Sequence, residues 1–128
     1  MKTSFFIYVI LAFAGLILIQ GKPVGETMQK KGTFFPAEVK KVIDSKCYGC
    51  HSAQGQSKDA KDALMWDSLP NLNKSRMVAT LDDIVKELRK NGMPPEAVVK
   101  KYPEMKLLDA ESKILQSWAV LKADSLLK

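Results

Sequence analysis

Both cysteines and the single histidine of this chain fall within five residues, Cys47-Tyr48-Gly49-Cys50-His51. Two intervening residues put the thiols on one side of about one helical turn, and the imidazole follows at once. This is the C-x-x-C-H spacing of covalent c-type haem attachment. In that chemistry each thiol adds to a porphyrin vinyl group to form a thioether, and the histidine ligates the iron from one side. The pattern predicts one covalent haem c per chain, held by Cys47 and Cys50, with His51 as an axial ligand. Other uses of C-x-x-C fit less well. A thioredoxin-like pair follows a strand in a βαβ unit, whereas residues 36–46 read as an amphipathic helix. A closed structural zinc site takes four Cys or His ligands, and only three exist here. A Cys47–Cys50 disulfide is the plain alternative in an oxidising compartment.

The N-terminus agrees with export, which c-type haem attachment requires. Lys2 precedes an unbroken apolar run over residues 5–19. The exit, Leu18-Ile19-Gln20-Gly21, lacks the small-residue pattern of a signal cleavage site. Residues 1–20 are therefore expected to remain as a signal anchor, a cleaved signal peptide being the alternative. The run approaches the ~20 residues that span a bilayer, and Lys2 on the inside would leave the bulk of the chain on the periplasmic face of the inner membrane. Residues 21–35, with Gly21, Pro23, Gly25 and Gly32, read as a linker, and 36–128 as one small domain. The net charge of +6 describes a solvated basic surface with a bias toward acidic redox partners or anionic lipid. Nucleic acid is not expected as a partner, and the chain reads as a monomer.

The domain reads as all-α. Val39, Val42, Ile43 and Cys47 recur at helical spacing and lead one apolar face into the motif. A second helix is expected over residues 59–68, with Ala60, Ala63, Leu64 and Trp66, ended by Pro70. A third opens on Thr80 as N-cap, with Asp83 three residues on. It carries a Leu81, Ile84, Val85, Leu88 stripe and closes at Asn91-Gly92. A short helical turn over 95–101 precedes a final helix from Asp109, with Ile114, Leu115, Trp118, Leu121 and Leu126 facing inward. No strand and no internal repeat is legible.

A six-coordinate c-type haem takes a second axial ligand, usually His or Met. With no second histidine, the candidates are methionines. Met1 and Met28 belong to the anchor and linker, and Met65 and Met77 read as core fillers. Met93 stands in Asn91-Gly92-Met93-Pro94-Pro95, directly after the expected helix cap. Its two prolines fix the following backbone and push Met93 itself toward an extended conformation. A stiff loop of this kind can hold a weakly bonding thioether at a metal, so Met93 is the expected ligand. Met105, in Tyr102-Pro103-Glu104-Met105, is the alternative, and an open sixth position is the third reading.

A helix entering C-x-x-C-H, a capped helix ending in Gly92-Met93-Pro94-Pro95, then Tyr102-Pro103-Glu104 and a helix bearing Trp118 together resemble the small, single-haem, cytochrome-c-like family of haem-binding domain proteins. The resemblance covers nearly everything from residue 35 onward. It implies a cytochrome-c-like helical fold around the haem, often tethered by an N-terminal hydrophobic helix, with Met93 matching the ligand-loop methionine. Cytochromes c generally place a proline carbonyl on the second ring nitrogen of the histidine ligand, and Leu69-Pro70-Asn71-Leu72 resembles that segment. Trp66 and Trp118 could pack on the porphyrin or donate to a propionate, or serve simply as core. The function this implies is a membrane-tethered, non-enzymatic carrier of single electrons between protein donor and acceptor. Two other readings compete with it. One is a haem sensor or peroxidase-like enzyme with a displaceable sixth ligand; the other is a haem subunit of a larger oxidoreductase.

Overall fold

The computed structural model describes residues 33–128. The expected anchor or signal segment at 1–20, and residues 21–32 of the linker with Met28, lie outside the described residues. Among the described residues every regular element is helical. Helix α1 (Ala37–Val42) runs into a wide π-helical turn (Ile43–Cys47) and then into α2 (Tyr48–His51). Helix α3 (Lys58–Ala63) follows, then a 3-10 turn at Leu69–Asn71 and the long α4 (Lys74–Arg89). The chain closes with α5 (Glu96–Lys101), a 3-10 turn at Pro103–Met105, and α6 (Asp109–Leu127). No helix among the described residues is long and apolar enough to cross a membrane.

The first helix has its expected apolar face, with Val39, Val42 and Ile43 buried. Its continuity is broken in a way periodicity does not announce. At the end of the π turn the Tyr48 N–H bonds back to the Ile43 carbonyl, five residues earlier. Two boundaries also differ from the sequence reading. The second helix ends at Ala63 rather than continuing to 68, because Leu64 turns extended (φ −155°, ψ 128°). Trp66 consequently sits in a turn instead of on a helical face. The helix expected to start at Thr80 starts at Lys74, since the Asn73 side chain accepts the Arg76 N–H at 3.0 Å and caps it. Thr80 lies inside the helix, where its hydroxyl donates to the Arg76 carbonyl. This extension adds Met77 to the buried stripe of Leu81, Ile84, Val85 and Leu88.

The C-terminus of α4 ends as expected. Asn91 adopts the left-handed conformation at φ 53°. Its N–H bonds to the Leu88 carbonyl and that of Gly92 to the Glu87 carbonyl, so both orphan carbonyls of the last turn are satisfied. Helix α6 opens with the Glu111 carboxylate accepting the Leu108 N–H at 2.9 Å.

Helices α4 and α6 form the main packing interface, and α1 lies against α6. Leu69, Leu81, Leu115 and Val39 are fully enclosed. On α6 the inward face carries Leu115, Trp118 and Ala119; Leu121, expected inside, is 63% exposed. Phe34 and Phe35, at the end of the stretch read as linker, pack into an aromatic cluster with Trp66 and Trp118. Their ring centroids lie 4.8 to 6.3 Å apart in tilted or edge-on arrangements. This cluster ties the start of the described chain to the segment that follows the C-x-x-C-H motif.

Candidate cofactor-attachment site

The π turn and α2 bring Cys47, Cys50 and His51 together on one short helical segment, each of them half-buried. Both cysteines are free thiols. Burial, reinforced by the nearby Glu111 carboxylate and by Cys50, pushes the Cys47 thiol up to about 12. Burial thus favours the protonated thiol in the ligand-free chain.

The histidine is held by the segment after α3. Nδ1 of His51 lies 2.9 Å from the Leu64 carbonyl oxygen. A carbonyl only accepts, so Nδ1 carries a proton, and Nε2 is the nitrogen left to ligate a metal. That is the arrangement of a metal-ligating imidazole whose other nitrogen is fixed by the protein. The acceptor is Leu64 and not Pro70, because the early end of α3 turns the Leu64 carbonyl to the ring, while Pro70 is taken up in the 3-10 turn. A second bond, from the Trp66 N–H to the His51 carbonyl at 3.0 Å, ties the same segment to the motif.

A carboxylate completes the attachment. Asp67 accepts from the Tyr48 hydroxyl with one oxygen and from the Ala53 N–H, at 2.8 Å, with the other. Those two donors hold its acidity below the usual carboxylate range, the Tyr48 hydroxyl contributing most. The same bond, together with the Asp67 charge, raises the Tyr48 phenol. A depressed carboxylate contributes stability above its unfolded value of about 4 and loses it as pH falls through the lower folded value. Wild type should therefore lose more thermal stability between pH 5 and acid than Tyr48→Phe does, as measured by circular dichroism melts. Equal acid sensitivity of the two would show that the Tyr48 bond contributes nothing.

The loop between motif and α3 closes tightly. The Gly55 N–H bonds to the Ser52 carbonyl at 2.9 Å, and a Cβ at Gly55 would stand 2.3 Å from the Cys50 carbonyl oxygen. Gly55 is thus required for close backbone approach.

Met93 lies on the loop after α4 and is 37% exposed, outside the packed core. The segment with a direct bond to the neighbourhood of the motif is the Pro103–Met105 turn, where the Lys46 ammonium donates to the Glu104 carbonyl. Met105, next in sequence, is half-buried.

Three observations bear on whether a haem suits these residues. No group of three or more His, Cys, Asp or Glu side chains placed to hold a metal ion occurs among the described residues. The thiols precede the ring on the same segment. Finally, the indole N–H of Trp66 is buried without an acceptor among the described residues, a donor that an anionic oxygen of a bound group would satisfy. The donor set fits. Two shallow surface depressions elsewhere, one on the outer face of α1 and one between Arg89 and α6, include none of the four site residues.

Sequence reasoning did not find Leu64, Asp67 or Gly55. The first two meet the motif across more than a dozen residues, and no local pattern reports such pairings. Comparison with known proteins adds no relative: no family model, no curated protein and no solved structure matches the chain.

Proposed function

We propose that this chain is a monohaem c-type cytochrome of cytochrome-c-like fold that carries single electrons between redox proteins. It is tethered to the periplasmic face of the inner membrane by its N-terminal apolar segment. The observation that carries the reading is the C-x-x-C-H segment with its His51 Nδ1 proton fixed on the Leu64 carbonyl, leaving Nε2 as a lone-pair donor.

When bound, haem supplies a one-electron iron couple. The chain's own residues do the rest. Cys47 and Cys50 anchor the ring covalently, so the group stays with the protein across oxidation states. His51 donates from Nε2, and the Leu64 carbonyl increases the basicity of the ring by accepting from Nδ1. Met93 would supply the second ligand to the iron, with Pro94 and Pro95 limiting the freedom of its loop.

Expressed with an export and haem-maturation system, the protein should retain its haem through acid-acetone extraction and denaturing electrophoresis. Cys47→Ala or Cys50→Ala should leave a single thioether and shift the reduced α-band. Extraction of the haem from wild type by acid-acetone would refute covalent attachment and with it the proposal.

A further inference from the structure

Four hydrogen bonds connect residues 64–67 to the motif and the residues just after it, and two of them end on one carboxylate. The Leu64 carbonyl receives His51 Nδ1, and the Trp66 N–H reaches the His51 carbonyl. Asp67 bridges the Tyr48 hydroxyl, inside the motif, and the Ala53 N–H, two residues beyond the histidine. The Asp67 bridge therefore grips the motif on both sides of His51. Leu64 needs such support, because it is the first residue past the end of α3. Its extended backbone has left the helical ladder, and its carbonyl is free to follow wherever the next residues lead.

We propose that Asp67 is the positioning residue for His51. By spanning Tyr48 and Ala53 it keeps residues 64–67 against the motif, and so keeps the Leu64 carbonyl on the imidazole. The inference rests on the cytochrome reading of His51 and adds a determinant of the iron's potential that lies outside the ligand set. Asp67 is exposed, and its hydrogen bonds go to Tyr48 and Ala53 while the ring's goes to Leu64, so its influence passes through the backbone of Leu64. A weaker Nδ1–H bond makes the imidazole a poorer donor, which favours ferrous iron and raises the potential.

Two substitutions separate geometry from charge. Asp67→Asn keeps an oxygen for the Ala53 N–H and an amide for the Tyr48 oxygen, yet removes the charge. Asp67→Ala removes both. In the haem-loaded protein, exchange of the His51 ring N–H with solvent, followed by proton NMR, should be roughly tenfold faster in Asp67→Ala, the factor for one net hydrogen bond. It should be near wild type in Asp67→Asn, and the midpoint potential should rise further in Asp67→Ala than in Asp67→Asn. Tyr48→Phe, which removes one leg of the bridge at almost constant volume, should fall between and serves if Asp67→Ala does not fold. Unchanged ring exchange in Asp67→Ala, or in Tyr48→Phe where that variant stands in, with covalent haem in place, would overturn the positioning role while leaving the cytochrome reading intact. Equal potential shifts in Asp67→Asn and Asp67→Ala would do the same, by assigning the effect to charge alone. A chain that takes no covalent haem overturns both.

Discussion

Met93→Ala is expected to abolish the weak far-red sulfur-to-iron band of the oxidised protein and to admit carbon monoxide or cyanide rapidly. The midpoint potential should fall by a sizeable part of the ~0.8 V over which axial ligands set haem potentials. A thioether stabilises ferrous iron, so its loss to water or an exogenous ligand lowers the potential. Helix α4 ends in a fully bonded cap whose left-handed residue is Asn91, and the chain leaves it directly into Gly92-Met93-Pro94-Pro95. The Met93 loop therefore begins from a fixed point. Met105→Ala is the control with structural force behind it, since the neighbouring Glu104 carbonyl is bonded to Lys46, next to Cys47. Should Met105→Ala remove the band and Met93→Ala retain it, the sixth ligand is Met105. Should wild type lack the band and bind carbon monoxide at once, the sensor or peroxidase-like reading is the better one.

Gly55→Ala carries the second large effect, this time on folding. Its Cβ would meet the Cys50 carbonyl oxygen at 2.3 Å and the carbonyl carbon at 2.7 Å, and neither atom is the end of a flexible side chain. Relief requires moving either the loop or the motif helix, at a cost of roughly 1–3 kcal/mol. Moving the loop also strains the Gly55–Ser52 bond and the Asp67–Ala53 bond on either side of it. Denaturant melts should show the loss, and haem recovered per chain should drop with it. Gly49→Ala is the matched comparison. It lies inside the motif with nothing within 4 Å of a built Cβ, and an alanine there favours the helix by up to about 1 kcal/mol. Equal stability of the two variants would show that the Cys50 contact does not constrain the loop.

How much of this was legible in the sequence depends on the range of the interaction. The helix entering the motif, the Asn91-Gly92 stop, the short α5 and the final helix all rest on neighbours three or four residues apart, and periodicity and cap residues report these. Boundaries failed where two local signals competed. Thr80 looks like a cap, but Asn73 lies upstream with an oxygen placed for Arg76, and the helix took the earlier start. Leu64 and Trp66 match a helical face, yet the chain gave up that helix for bonds to His51, which no window of sequence contains. Leu121 fits the apolar spacing of α6 but stays exposed beside the shallow depression toward Arg89. Within the candidate site, Cys47, Cys50 and His51 were readable because their spacing is itself the signal. Leu64 acts through a backbone atom, so its side chain carries no trace of the role.

The π turn at Ile43–Cys47 makes the angular phase of the site a matter of length. An α-helix advances about 100° per residue. One residue of slack upstream of Cys47 therefore decides which way the thiols and imidazole face relative to Val39 and Val42, which are fixed in the core. Asp44 and Ser45 are exposed, so their identities are open to drift. Their number is not. Losing one residue here would close the wide turn to ordinary α-helix and remove the offset it sets between Val39–Val42 and the motif, with every side chain of the site still present.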